Sequence, residues 1–183
     1  MMGTITRLTI TIPQQGIKIM QFITQAIVIG VAATLAIDMW AVILRTAFNL
    51  PTTNWGMVGR WFAYLPRGQF MHRPIGSSKP IKYEHLIGWL AHYAVGIGYA
   101  YCYLILVFYV LKDQPSLISA ISYGVFTLIA PWLVLQPALG LGLFAKRAES
   151  PSTVRAINIS IHLIFGAVLY FAWLALLTLA ATS

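Results

Sequence analysis

Residues 22–44, FITQAIVIGVAATLAIDMWAVIL, run without a basic residue and with Asp38 as their one acid. A helix needs about 20 apolar residues to cross the hydrocarbon core of a bilayer, so this stretch is long enough to span one. Its polar interruptions are Thr24, Gln25, Thr34 and Asp38. Three further stretches of similar character follow at residues 86–111, 117–144 and 156–181. In hydrocarbon every backbone amide must bond within its own segment or around a closed barrel, so unbroken apolar runs of this length are helices. The sequence therefore predicts an all-α membrane protein, a four-transmembrane-helix bundle.

The composition agrees. Of 183 residues 59% are hydrophobic and 9% charged, against roughly 25% charged in a soluble domain. A soluble globular fold, a disordered chain and a disulfide scaffold are excluded, the last because Cys102 is alone and falls inside the second run. One transmembrane domain at residues 20–183 accounts for the length, with residues 1–19 as an N-terminal extension. A secretory core has about 7 to 15 apolar residues before a cleavage site. The first run is longer and exits through Arg45, so it is expected to stay as a span.

Lysine and arginine beside the spans predict orientation. Arg45, Arg60, Arg67, Arg73, Lys79 and Lys82 flank or occupy the first loop, and Lys146, Arg147 and Arg155 the third. The opposite side holds Arg7, Lys18 and Lys112. The first and third loops are thus expected to be cytoplasmic, with both termini outside, and the net charge of +8 suits an anionic inner leaflet. Basic residues scattered beside spans form no stripe for nucleic acid. The expected partners are the lipid bilayer and a second copy or a larger membrane complex, with Gly96, Gly98, Gly140 and Gly142 as close-packing candidates.

Residues 47–85 lie outside the spans, and loops beyond about 15 residues usually carry structure or function of their own. Trp55, Val58, Phe62 and Leu65 fall at helical spacing, Arg60 sits on a different side and Pro66 stops the run. This predicts a short interfacial helix, serving as an anchor or as a lid over a site. The segment beyond it reads as irregular chain, with His72 expected in solvent.

The polar residues within the spans fall at one depth. Asp38 precedes Arg45 by seven residues, which at 1.5 Å per residue places it roughly 10 Å inside the predicted cytoplasmic edge. His92, Gln136 and His162 reach roughly 10 to 15 Å by the same count from His85, Lys146 and Arg155. Each helix contributes one such side chain. Steps of four align Asp38 with Thr34, Gly30 and Ala26, His92 with Gly88, Gly96 and Ala100, and His162 with Asn158 and Gly166. Small residues mark close helix approach, so the polar groups are expected to point inward and converge. Pro131 and Pro137 are expected to kink the third span and free the carbonyls of Thr127 and Leu133.

Asp38 needs a partner at that depth, where a lone carboxylate costs about 2.5 to 3.5 kcal/mol. His92, His162 and Arg45 are the candidates. Three readings stay open. Asp38, His92, Gln136 and His162 form a packing network; or they line a cytoplasm-facing transport or proton-linked site with Arg45 or Arg60 at its mouth; or Asp38, His92 and His162 hold a divalent metal, or the two histidines a haem. No HExxH, CxxC, phosphate loop or serine nucleophile supports an assigned enzyme activity, and whether the protein is an enzyme stays open. The pattern His-x-x-x-Gly at His92–Gly96 recurs at His162–Gly166, each on the second helix of a hairpin, which hints at two parallel repeats.

Several local motifs carry a resemblance. Asp38-Met39-Trp40, Gly59-Arg60-Trp61, Leu65-Pro66-Arg67-Gly68, Gly88-Trp89-Leu90-Ala91-His92-Tyr93, Gln136-Pro137 with Gly140, and His162 with Phe165-Gly166 resemble an uncharacterised bacterial membrane family, domain of unknown function 2938. The resemblance covers the chain from about residue 20 onward. It implies a bacterial inner-membrane protein with these polar positions as its signature, and it brings no activity, substrate or cofactor.

Overall fold

The computed structural model describes residues 14–182. The expected extension at residues 1–19 lies mostly outside them; helix α1 is already formed at Gln14 and continues to Phe48. α2 covers Trp55–Tyr64, α3 Glu84–Ile105, α4 Leu117–Phe126, α5 Gln136–Ala138 and α6 Pro151–Thr182. Four helical stretches are long and apolar enough to cross a membrane: Met20–Phe48, Glu84–Val110, Leu117–Ala138 and Pro151–Thr182. The protein is an all-α, four-helix membrane protein. Its outer faces are apolar, with Ile118 80% and Met39 67% exposed, the arrangement expected when lipid rather than water surrounds the bundle.

The helices pack in the order α3, α1, α6, α4, with neighbours crossing closely. At the end away from the first and third loops they share one apolar core. Ile29, Tyr103, Leu104, Val107 and Leu169 are fully buried there, beside Ala120 and Phe165. Two glycine crossings set the spacing. A Cβ on Gly30 would meet the Ile97 backbone at 2.5 Å, and one on Gly124 would collide with the His162 carbonyl. Gly96 and Gly166 face those same contacts from the opposite helix. Of the glycines nominated for contacts between copies, Gly96 is thus used within the chain, Gly140 lies against His72–Pro74 and Gly142 against Lys146, while Gly98 faces open space.

The third span departs most from a simple rod. α4 starts on a capping box in which Ser116 and Ser119 exchange side-chain and backbone bonds. The helix loosens to a turn at residues 127–128 and resumes as a π-helical segment, Ala130–Leu135, before α5. Pro131 and Pro137 each lack an N–H, which accounts for the interruption. The Thr127 carbonyl, expected to be freed, instead accepts from the Ala130 N–H at 3.1 Å. The span ends at Ala138, short of the expected residue 144, because Gly140 and Gly142 take positive φ values of +94° and +73° and turn the chain away into a separate 3₁₀ turn at Leu143–Ala145.

The first loop is folded. Asn54 caps α2 by accepting from the Met57 N–H at 3.2 Å, and Pro66 and Gly68 end it in a short 3₁₀ turn. Downstream, the His72 N–H donates to the Ala138 carbonyl at 2.8 Å and the Ile75 N–H to the Leu139 carbonyl at 3.0 Å. These bonds strap the loop across the end of the third span. His72, expected in solvent, is 3% exposed, with Nδ1 2.7 Å from Ser78 Oγ, because the strap closes over it.

Candidate functional site

α2 is held to the start of α3 backbone to backbone. A Cβ on Gly59 would collide with the Glu84 carbonyl and one on Gly88 with the Trp55 carbonyl, so only glycine admits this approach. The Arg60 fork clamps it. Arg60 Nε and Nη2 donate to the two Glu84 carboxylate oxygens at 2.8 Å each, and Nη1 donates to the carbonyls of Ser78 at 2.9 Å and Ile75 at 3.3 Å. The hydrogen bond to Glu84 raises the Arg60 pKa against the opposing pull of burial, so the guanidinium keeps its charge. Arg60 therefore fastens the loop and does not close a mouth over Asp38. Arg45 is exposed on the last turn of α1, and its side chain makes no hydrogen bond among the described residues.

The docking of α2 brings Trp55 over α3. Its indole stacks on the His92 imidazole with ring centres 3.9 Å apart and planes 28° apart. Beneath it, His92 Nε2 lies 2.9 Å from Asp38 Oδ1, and the Tyr93 hydroxyl donates to Asp38 Oδ2 at 2.9 Å. Of the expected partners for Asp38, the structure selects His92. The side chains stay partly accessible, at 11% for His92 and 20% for Asp38. Since a carboxylate accepts, Nε2 carries the proton of the neutral ring and the lone pair is left at Nδ1, which has no hydrogen-bond partner among the described residues. The arrangement is a tautomer-fixed base, held by an acid below and faced by an aromatic ring. An imidazolium formed there would gain both the ion pair and a cation–π contact.

The other members of the expected layer pair elsewhere. His162 Nδ1 is 2.8 Å from Thr127 Oγ1 and 3.2 Å from the Gly124 carbonyl, at the α4–α6 seam. Gln136 Nε2 donates to Asn158 Oδ1 at 2.7 Å, and Trp132 Nε1 donates to the same oxygen at 3.2 Å. Trp40 Nε1 donates to Ser160 Oγ at 2.9 Å across α1 and α6. The polar residues thus fasten successive seams, and among the described residues no hydrogen bond joins the Asp38–His92 pair to Gln136 or His162. The metal grouping of Asp38, His92 and His162 is not assembled: no three His, Cys, Asp or Glu side chains among the described residues gather as a metal site. His92 and His162 each pair at a different seam, His92 with Asp38 and His162 with Thr127.

Sequence reasoning missed Tyr93 as the second donor to Asp38, Trp55 as the cover of His92, and Glu84 as the anchor of Arg60. Tyr93 had a signal, adjacency to His92 within one motif. Trp55 and Glu84 lie 37 and 24 residues from their partners, beyond any local periodicity.

The model of the family of proteins of unknown function DUF2938 matches residues 27–176. The chain belongs to that family. No curated protein and no solved structure matches the chain. The DUF2938 match includes Asp38, Trp55, Arg60, Glu84, His92, Tyr93 and both glycine crossings, so the α2 clamp and the Asp38–His92 pair lie within the family segment.

Proposed function

We propose that this DUF2938 chain is a bacterial inner-membrane protein, with its first and third loops cytoplasmic, that handles protons at Asp38–His92, coupled to a small molecule presented near Trp55. One observation carries the reading: Asp38 fixes the His92 tautomer and leaves the Nδ1 lone pair accessible beside the Trp55 indole. In this scheme His92 Nδ1 accepts the proton, Asp38 neutralises the imidazolium, Tyr93 keeps the carboxylate oriented and α2 holds Trp55 against the His92 ring. The separate seams favour proton handling at one helix pair over passage of a polar solute through the bundle centre. The nine Lys and Arg residues on the loop side support the orientation.

Tryptophan emission of the protein in lipid nanodiscs tests this, because an imidazolium quenches a stacked indole more than neutral imidazole does. On acidification the wild-type chain should lose emission, and His92→Gln, Trp55→Phe and Asp38→Asn should each abolish that change. A change that persists in His92→Gln, or no change in the wild type, refutes the proposal. The second reading, a packing role, is favoured by both Asp38 oxygens being hydrogen-bonded. It gains support if Asp38→Asn lowers thermal stability and leaves the emission change intact.

A further inference from the structure

Between the interrupted third span and α6 lies an apolar cavity of about 370 Å³, walled by Phe126, Ile129, Trp132, Leu133, Phe144 and Ile159. That volume sits at the low end of the roughly 300 to 1,000 Å³ of small-molecule sites. Phe144 is also a wall of a second, open depression formed with Leu143, Lys146 and Arg155, so an apolar groove runs into a basic end. We propose that this groove binds an anionic phospholipid, one acyl chain lying against Trp132 and the phosphate held by Lys146 and Arg155.

Three features show construction. Trp132 is fixed by its bond to Asn158 at 3.2 Å and packs on Phe144 with ring centres 5.4 Å apart. Phe144 and Ala145 hold φ values of +53° and +54°, a left-handed backbone that residues with a side chain rarely adopt. Strain of that kind persists where the surroundings impose it and clusters at ligand clamps. The Phe144 carbonyl turned by this backbone accepts from Arg155 Nε at 2.8 Å, which aims the guanidinium at the groove's end. Neither Arg155 nor Lys146 has an acidic partner among the described residues, so both charges are available to an anion. A phospholipid is the occupant that meets both halves, since the groove runs along the third and fourth spans and its basic residues stand at their loop end, Lys146 between the spans and Arg155 near the start of the fourth. The site is separate from Asp38–His92, and its failure would leave that proposal standing.

Phospholipids with dibrominated chains, which quench indoles on contact, supply the assay in nanodiscs of the full chain. Phosphatidylglycerol so labelled should quench more strongly than phosphatidylcholine, and Trp132→Phe should remove the difference. Lys146→Gln, at an exposed residue whose side chain makes no hydrogen bond among the described residues, should weaken the preference by about five-fold, the worth of one basic side chain near an anionic headgroup. Ile159→Phe, which fills the groove from a 40% exposed position, should reduce quenching by both lipids. Equal quenching by the two lipids, or a preference that survives Trp132→Phe or Lys146→Gln, overturns the proposal. Stronger quenching by a brominated fatty acid than by phosphatidylglycerol overturns the assignment to phospholipid.

Discussion

Replacing Arg60 by methionine should release α2 and uncover His92. The Arg60 and Glu84 side chains are 10% and 16% exposed, so solvent screens their pairing little. Methionine keeps most of the volume and removes all four donated bonds, to both Glu84 oxygens and to the carbonyls of Ile75 and Ser78. Breaking a buried pair from one side costs about 3 to 5 kcal/mol, because the remaining charge is left without compensation. Each backbone carbonyl stripped of its donor adds about 1 kcal/mol or more where water cannot reach it. Unfolding in mixed micelles, followed by circular dichroism across a series of detergent compositions, should therefore show a loss of about 4 to 7 kcal/mol for Arg60→Met. The double variant Arg60→Met with Glu84→Leu removes both charges and should recover about half of it, the rest being the unpaired Ile75, Ser78 and Ile81 backbone groups. The acid-induced change in Trp55 emission should vanish in Arg60→Met even though Asp38 and His92 are untouched. A loss below about 1 kcal/mol, or single and double variants of equal stability, would show that charge pairing does not fasten α2.

Other perturbations separate the elements. Gly124→Ala pushes a Cβ into the His162 carbonyl, a backbone atom that cannot swing aside, and should cost about 1 to 3 kcal/mol in the same unfolding experiment. Gly98→Ala, with nothing within 4 Å, should be neutral or slightly stabilising. Asn158→Leu leaves Trp132 Nε1 and Gln136 Nε2 without their shared acceptor; a loss of about 1 to 2 kcal/mol is expected, together with a blue-shifted Trp132 emission as its surroundings become less polar.

Span number, the loop helix and the inward stripes are legible in the sequence because each rests on a local period. Gly30, Thr34 and Asp38 share a face of α1 by spacing alone, and Thr34 is fully buried at 0%. What spacing does not encode is which helices are neighbours. Residues at one height converge if the helices close around a polar centre, and they fasten separate seams if glycines draw the backbones together pairwise. Gly96 and Gly166 decide for the second arrangement, and the partners of His162 become Thr127 and Gly124 rather than Asp38. His72 was misread for a related reason: burial by the strap depends on the Ala138 and Leu139 carbonyls, more than 60 residues away.

The recurrence of His-x-x-x-Gly now has a physical content. In each hairpin the glycine sits at the backbone crossing, Gly96 on Gly30 and Thr34 in one case and Gly166 on Ala120 and Gly124 in the other, and the histidine one turn toward the loops bonds the first helix. At the α4–α6 seam that partner is a hydroxyl, Thr127 Oγ1, which itself donates to the Gly124 carbonyl at 2.6 Å; the set carries no acid. At the α1–α3 seam it is a carboxylate, reinforced by Tyr93 and covered by Trp55. A hydroxyl suffices to fasten a crossing, as the second hairpin demonstrates. An acid at the same height carries an insertion cost of about 2.5 to 3.5 kcal/mol that fastening does not require. The two hairpins therefore act as each other's control, and the excess chemistry at Asp38 supports placing proton handling on the first.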